Sequence, residues 1–206
     1  MKSGRDNYRL QAEQAKKSFL TYDQQELIRR CGLRYDDDYL YTALLADPYR
    51  IDRRTGDMER FCDESWVDGN SFGEVMTLLD WLCDSRPDRY ISGRWINLVT
   101  HGPYFHRELQ EEEDPNAQLF DREPVAFAAA CEALGGEKMP GADIGYAIEL
   151  VDGLRIFVQL WHGDEEFAPR LRCLWDENTE RYLRYETTWY AVGLLMKRLR
   201  ERMKER

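Results

Sequence analysis

The sequence has only three histidines, and none of its five cysteines (Cys31, Cys62, Cys83, Cys131 and Cys173) forms a Cys-x-x-Cys pair. So few and so scattered thiols argue against a disulfide framework and against a cysteine-only zinc or iron–sulfur centre. They read as small buried side chains in a reducing compartment. No apolar run approaches the ~20 residues that span a bilayer, and the opening MKSGRDNYRLQAEQ lacks the apolar core of a signal peptide. A cytoplasmic chain with no membrane partner is therefore expected. GxGxxG after a strand, GxxxxGK followed by Ser or Thr, HExxH and GxSxG are all missing, which removes the usual support for dinucleotide, P-loop, zincin and serine-hydrolase chemistry. Positive charge is scarce as well: 29 Lys plus Arg face 39 Asp plus Glu, a formal net charge of −10. No nucleic-acid partner is expected, because affinity for phosphate backbones starts from clustered cations.

What is present suffices for a core. With 206 residues, 43% of them hydrophobic, the chain is expected to form a single domain over 1–206. Its clearest local signal is Val151-Asp152-Gly153-Leu154, because Asp-Gly between apolar runs favours the two positive φ values of a type I′ hairpin turn. A two-residue loop makes paired positions sum to 305. Ile148 then faces Phe157, Tyr146 faces Gln159 and Ile144 faces Trp161. Leu171 to Trp175 reads as a returning third strand. Both faces of the hairpin are largely apolar, so cover is expected on both. Glu149 falls opposite Ile156 among apolar neighbours, where a carboxylate needs a partner or a raised pKa.

Around this centre the pattern predicts helices. Asp6 caps Asn7 to about Leu20; Asp23 caps a shorter helix that Gly32 ends. Ser71 and Glu74 form a capping box for a helix reaching Asp84, with Phe72, Val75, Met76, Leu79, Leu82 and Cys83 on one stripe. Asp121 followed by Pro124 starts a helix, Val125 to Leu134, and Thr187 or Thr188 caps the terminal helix. Tyr39 to Leu45 and Tyr49 to Asp52 read as short strands interrupted by Asp47-Pro48, and Trp95 to Val99 as a short strand or a packed loop. Glu111 to Pro115 reads as a solvated loop or helix end, since adjacent carboxylates repel and proline stops a helix. The basic stretch Lys197 to Arg206 complements a negative helix end as a solvated terminus, or forms a basic amphipathic helix that binds a partner or a membrane surface. The fold class is α+β: a mainly antiparallel sheet with a central hairpin, its turn at Asp152-Gly153, flanked by helices.

The run Leu160-Trp161-His162-Gly163-Asp164-Glu165-Glu166-Phe167, the strand end Leu174-Trp175-Asp176, the Tyr182-Leu183 step and the terminal helix together resemble the C-terminal signature of the domain-of-unknown-function family numbered 3786. The resemblance is specific over Ile144 to Met196. Trp175 stands where the family has Phe, and Arg184-Tyr185-Glu186 where an acidic pair is usual. The resemblance implies no activity. Some members join a cysteine-rich segment of iron–sulfur type, and its absence here takes away the redox role it would imply.

The signature itself gathers chemistry. Trp161, His162, Asp164, Glu165 and Glu166 sit at a strand end, while His101 and His106 lie in Thr100-His101-Gly102-Pro103-Tyr104-Phe105-His106. Together with Glu149 these are the candidate ligand-binding residues. Imidazole and carboxylate suit a divalent metal, for which His162, Asp164 and His106 are the candidate ligands. One expectation is a non-catalytic module binding a small ligand, a metal ion or a protein partner. The alternative is a metal-assisted hydrolase or lyase with Glu149 as base. A third reading is architectural: Gly163 shapes the turn, Asp164 caps amides, and Glu165 and Glu166 pair with Arg155, Arg170 or Arg172.

Overall fold

The structure, a computed structural model, describes residues 3–98 and 114–205. The chain divides into two units: Met1–Tyr90 with Glu180–Leu194, and Ile91–Thr179 with Leu195–Arg206.

The first unit combines helices α1 (Ser3–Phe19), α2 (Gln24–Cys31) and α3 (Phe72–Asp84) with the sheet β1 (Arg34–Tyr35), β2 (Tyr39–Leu44), β3 (Asp47–Asp52), β4 (Met58–Cys62) and β5 (Ser65–Asp68). The five strands form an antiparallel meander in sequence order. Asp23 caps α2 by accepting from the Gln25 and Glu26 amides, and Gly32 closes it at φ 62°. The capping-box pair also forms at α3. The Glu74 carboxylate accepts from the Ser71 amide at 3.1 Å and, on its other oxygen, from the Tyr49 hydroxyl at 2.6 Å. Buried Asp80 accepts from the Arg184 amide at 2.8 Å, fixing the chain where the terminal helix α6 (Tyr185–Lys204) begins. Thr187 and Thr188 lie inside that helix; the Thr188 hydroxyl donates to the Tyr185 carbonyl instead of capping.

Asp47-Pro48 does not interrupt a strand as expected. Leu45 and Ala46 make the turn, at φ 51° and 64°, and Asp63-Glu64 make the next, at φ 48° and 61°. Both are two-residue hairpin loops with the left-handed conformation that matches strand twist. Pro48 is accommodated because it lies outside the Tyr49 to Ile51 stretch that β4 pairs.

The second unit holds the predicted hairpin. Its antiparallel sheet has the order β6-β10-β9-β8-β7, from β6 (Trp95–Ile96), β7 (Glu137–Lys138), β8 (Ile144–Val151), β9 (Leu154–Trp161) and β10 (Arg170–Asp176). The turn is where the sequence places it, with Asp152 at φ 53° and Gly153 at φ 78°. The register beyond it differs by one residue. Val151 faces Leu154, but a bulge between Glu149 and Val151 makes Glu149 face Arg155, Ile148 face Ile156, Tyr146 face Val158 and Ile144 face Leu160. The bulge lets Leu150 and Val151 both bury, at 1% and 2% exposure, while Glu149 turns to solvent and accepts from the Gly153 amide at 2.9 Å. Glu149 is thus not a carboxylate among apolar neighbours.

One face of this sheet carries Tyr146, Ile148, Ile156, Val158, Leu160 and Cys173. It meets the helices α4 (Pro115–Arg122) and α5 (Pro124–Ala133), as the Tyr146 hydroxyl donating to Glu132 at 2.9 Å shows. Pro115 starts a helix where the sequence suggested a stop. Asp114 caps α4 through the Asn116 amide at 2.8 Å, and proline at the first helical position has no amide to satisfy. The other face carries Trp95, Phe157, Gln159, Trp161, Arg170 and Arg172. His101, His106 and Glu111 to Glu113 lie outside the described residues.

Candidate functional site

The WHGDEEF turn closes the β9–β10 hairpin in the second unit. Gly163 is required there by close approach, since a Cβ at that position would stand 2.8 Å from Pro169 Cδ and 2.9 Å from Pro169 N. Asp164 follows, and its Oδ1 accepts from the Glu166 and Phe167 amides at 2.9 and 2.8 Å, while its own amide donates to the Phe167 carbonyl at 2.9 Å. The two amides, Glu166 first and then Phe167, hold the Asp164 carboxyl below the ordinary carboxylate value. The turn is therefore built by its own aspartate.

An anchor from α4 ties it down. The Asp121 carboxylate meets His162 Nδ1 at 2.5 Å and accepts from the Gly163 amide at 3.3 Å. On the opposite flank, Asp143 accepts from the His162 amide at 2.8 Å. Asp121 and Asp143 were absent from the sequence-based candidates, and no short-range pattern marks them: Asp121 lies 41 residues from His162.

Beside this anchor an open depression of about 580 Å³ is lined by Asp121 and the turn residues Gly163 to Pro169. Four of these residues are carboxylates and none is a cation. Glu165 and Glu166 are exposed, and neither carboxylate pairs with another described residue. Phe167 is 69% exposed at the same rim.

The expected carboxylate–arginine pairs are not formed by these residues. Arg155 pairs with Glu137 at 2.6 Å, and the Arg172 guanidinium stands 5.5 Å from the centre of the Trp161 ring. Trp161 is half-buried on the sheet face away from α4 and α5. Glu149 sits at the far end of the hairpin. Its partner Arg155 is six residues from Trp161 along β9, about 20 Å at ~3.3 Å per residue. The structure thus joins His162, Asp164, Glu165 and Glu166 around Asp121, and separates Glu149 from them.

Among the described residues, no three His, Cys, Asp or Glu side chains gather as metal ligands. Asp164 spends one oxygen on amides and His162 spends Nδ1 on Asp121, while the third candidate ligand, His106, lies outside the described residues. The five cysteines are free thiols; burial raises Cys83 and Cys173 to about 12 and raises Cys131 as well. These three raised thiols are packed groups rather than nucleophiles. Among the described residues no helix is long and apolar enough to cross a membrane.

Comparison with known proteins gives one family: the profile described as "Domain of unknown function (DUF3786)" matches residues 23–198. No curated protein and no solved structure matches.

Proposed function

The chain belongs to the DUF3786 family, and from that premise we propose that it is a non-catalytic binding module whose site is the acidic depression at the WHGDEEF turn, and that this site takes a cationic partner, a basic peptide segment or an organic amine. The observation that carries the reading is the single-signed lining of that depression: Asp121, Asp164, Glu165 and Glu166 with no cation among its eight residues, and Phe167 exposed beside them. Neighbouring carboxylates repel one another, and an ammonium or guanidinium group between them relieves that repulsion while Phe167 offers apolar or cation–π contact.

Binding is favoured over catalysis by what the polar groups already do. The His162 ring is held by Asp121 and the Asp164 carboxylate by two amides, so both serve to keep the turn rigid. A preformed turn lowers the ordering cost of association. The five free thiols support a cytoplasmic setting for the module.

The test is a titration of the isotope-labelled chain with tetraarginine, followed by amide resonances. Shifts concentrated on residues 163–169, weakened in the Glu165→Gln/Glu166→Gln double variant, are expected. Shifts scattered over the surface, or unchanged in the double variant, would sink the proposal.

A further inference from the structure

The opposite face of the same sheet carries an arrangement that the acidic depression does not use. Arg170 and Arg172 are two residues apart on β10, so their side chains leave the same face with roots about 7 Å apart. Arg170 lies across from Trp161 and Arg172 across from Gln159 in the β9–β10 register, and Arg172 covers the Trp161 ring at 5.5 Å. Among the described residues neither guanidinium makes an ion pair or a side-chain hydrogen bond. In a chain with 39 carboxylates and 29 Lys plus Arg, two adjacent cations lacking a counter-ion among the described residues are not explained by composition.

Three carboxylates of this sheet and its margins are committed elsewhere, and Glu165 and Glu166 of the adjoining turn pair with neither arginine. Asp143 accepts from the His162 amide, Asp176 accepts from the Ser92 and Gly93 amides at 3.2 and 2.8 Å, and Glu137 holds Arg155. Nor is Arg172 a freely solvated side chain. It is half-buried, and burial first, with the Arg170 charge second, pushes its guanidinium below the ordinary value. A desolvated cation beside a like charge is unfavourable unless something negative arrives.

We propose that the sheet face bearing Arg170, Arg172 and Trp161 is a binding site for the oxyanion of a small molecule, a carboxylate or a phosphate. Two guanidinium forks on roots about 7 Å apart converge on one oxyanion, each able to donate two parallel hydrogen bonds. The Trp161 ring orients Arg172 by cation–π contact, so that one fork is set before the anion binds. Charge complementarity selects the occupant, and it is the opposite charge from the partner proposed at the turn. The two sites therefore stand or fall separately.

The experiment follows the Trp161 indole and Arg172 Nε–H resonances of the full chain while inorganic phosphate, or in a second series acetate, replaces chloride at constant ionic strength. A saturable shift is expected, lost in Arg172→Gln, weakened about tenfold in Arg170→Gln, and unchanged in Arg155→Gln, whose guanidinium already has Glu137. Saturation by phosphate but not acetate assigns a phosphoester ligand, and the reverse a carboxylate. No saturable shift with either anion, or a shift that survives Arg172→Gln, overturns the proposal. Thermal unfolding without added anion is the second measurement. Arg170→Gln is expected to leave Tm unchanged or raised, because it removes a like-charge neighbour. A lowered Tm would mean that Arg170 already has a counter-ion, and would overturn the proposal too.

Discussion

Replacing Asp121 with alanine removes a side chain that ties α4 to the WHGDEEF turn. Two interactions go: the contact with His162 Nδ1 at 2.5 Å and the bond from the Gly163 amide at 3.3 Å. Hydrogen bonds to a charged group contribute about 1.5–3 kcal/mol each when shielded from water. Here the His162 side chain is 45% exposed and Asp121 23%, so solvent screening reduces the first contact to about 0.5–1 kcal/mol. The Gly163 bond is long and part-buried, and losing it adds about 0.5–1 kcal/mol. The sum is a loss of about 1–2 kcal/mol, which lowers Tm by about 2–8 °C in a chain of this size. The more specific consequence is local. Amide exchange at Gly163, slowed by Asp121, should accelerate about tenfold in the variant while exchange in β2 and β3 stays as it was. Unchanged Gly163 exchange together with unchanged Tm would refute the view that Asp121 anchors the turn.

Three further outcomes follow from the same geometry. Asp164 has a depressed carboxyl pKa, so its contribution to the turn is full above the ordinary value of 3.8 and is lost as pH falls through the lower folded value; the Glu166 and Phe167 amides should lose exchange protection only below that pH, and loss at pH 5 would contradict the assignment. Gly163→Ala brings a Cβ within 2.9 Å of Pro169, so a cost of about 1–3 kcal/mol is expected in urea unfolding, and a neutral substitution would show that the turn yields easily. Cys83, Cys131 and Cys173, with thiols raised by burial, should resist a disulfide reagent at pH 8 until the chain unfolds, whereas immediate reaction of all five thiols would contradict the packing.

Local chemistry made part of this molecule readable in its sequence. Asp152-Gly153, the capping pair Ser71 and Glu74, and the Asp23 to Gly32 helix all fold as read, because each is decided by groups within four residues. The α+β class followed from the same signals, while two antiparallel sheets stand where one was expected. Features decided at a distance stayed hidden. The bulge at Leu150 exists because Leu150 and Val151 both gain from burial, which no turn rule encodes. The hairpin turns Leu45-Ala46 and Asp63-Glu64 use residues without the usual glycine signal, and were missed for that reason. At the candidate site, the turn residues were found by their density of charge, but Asp121 was seen only as a helix start. Arg155 was assigned to the acidic turn, yet it serves Glu137, because it lies next to Asp152-Gly153, at the other end of the hairpin from that turn.

The central claim is that the acidic depression binds a cationic partner through exposed Glu165 and Glu166. Calorimetric titration of tetraarginine into the parent chain and into Glu165→Gln/Glu166→Gln tests it most directly. Each exposed ion pair contributes about 0.5–1 kcal/mol, so removing two should weaken binding about 5- to 30-fold, and the parent affinity should fall as salt rises. Equal affinities in the two chains, or no heat of binding in the parent, would contradict the account.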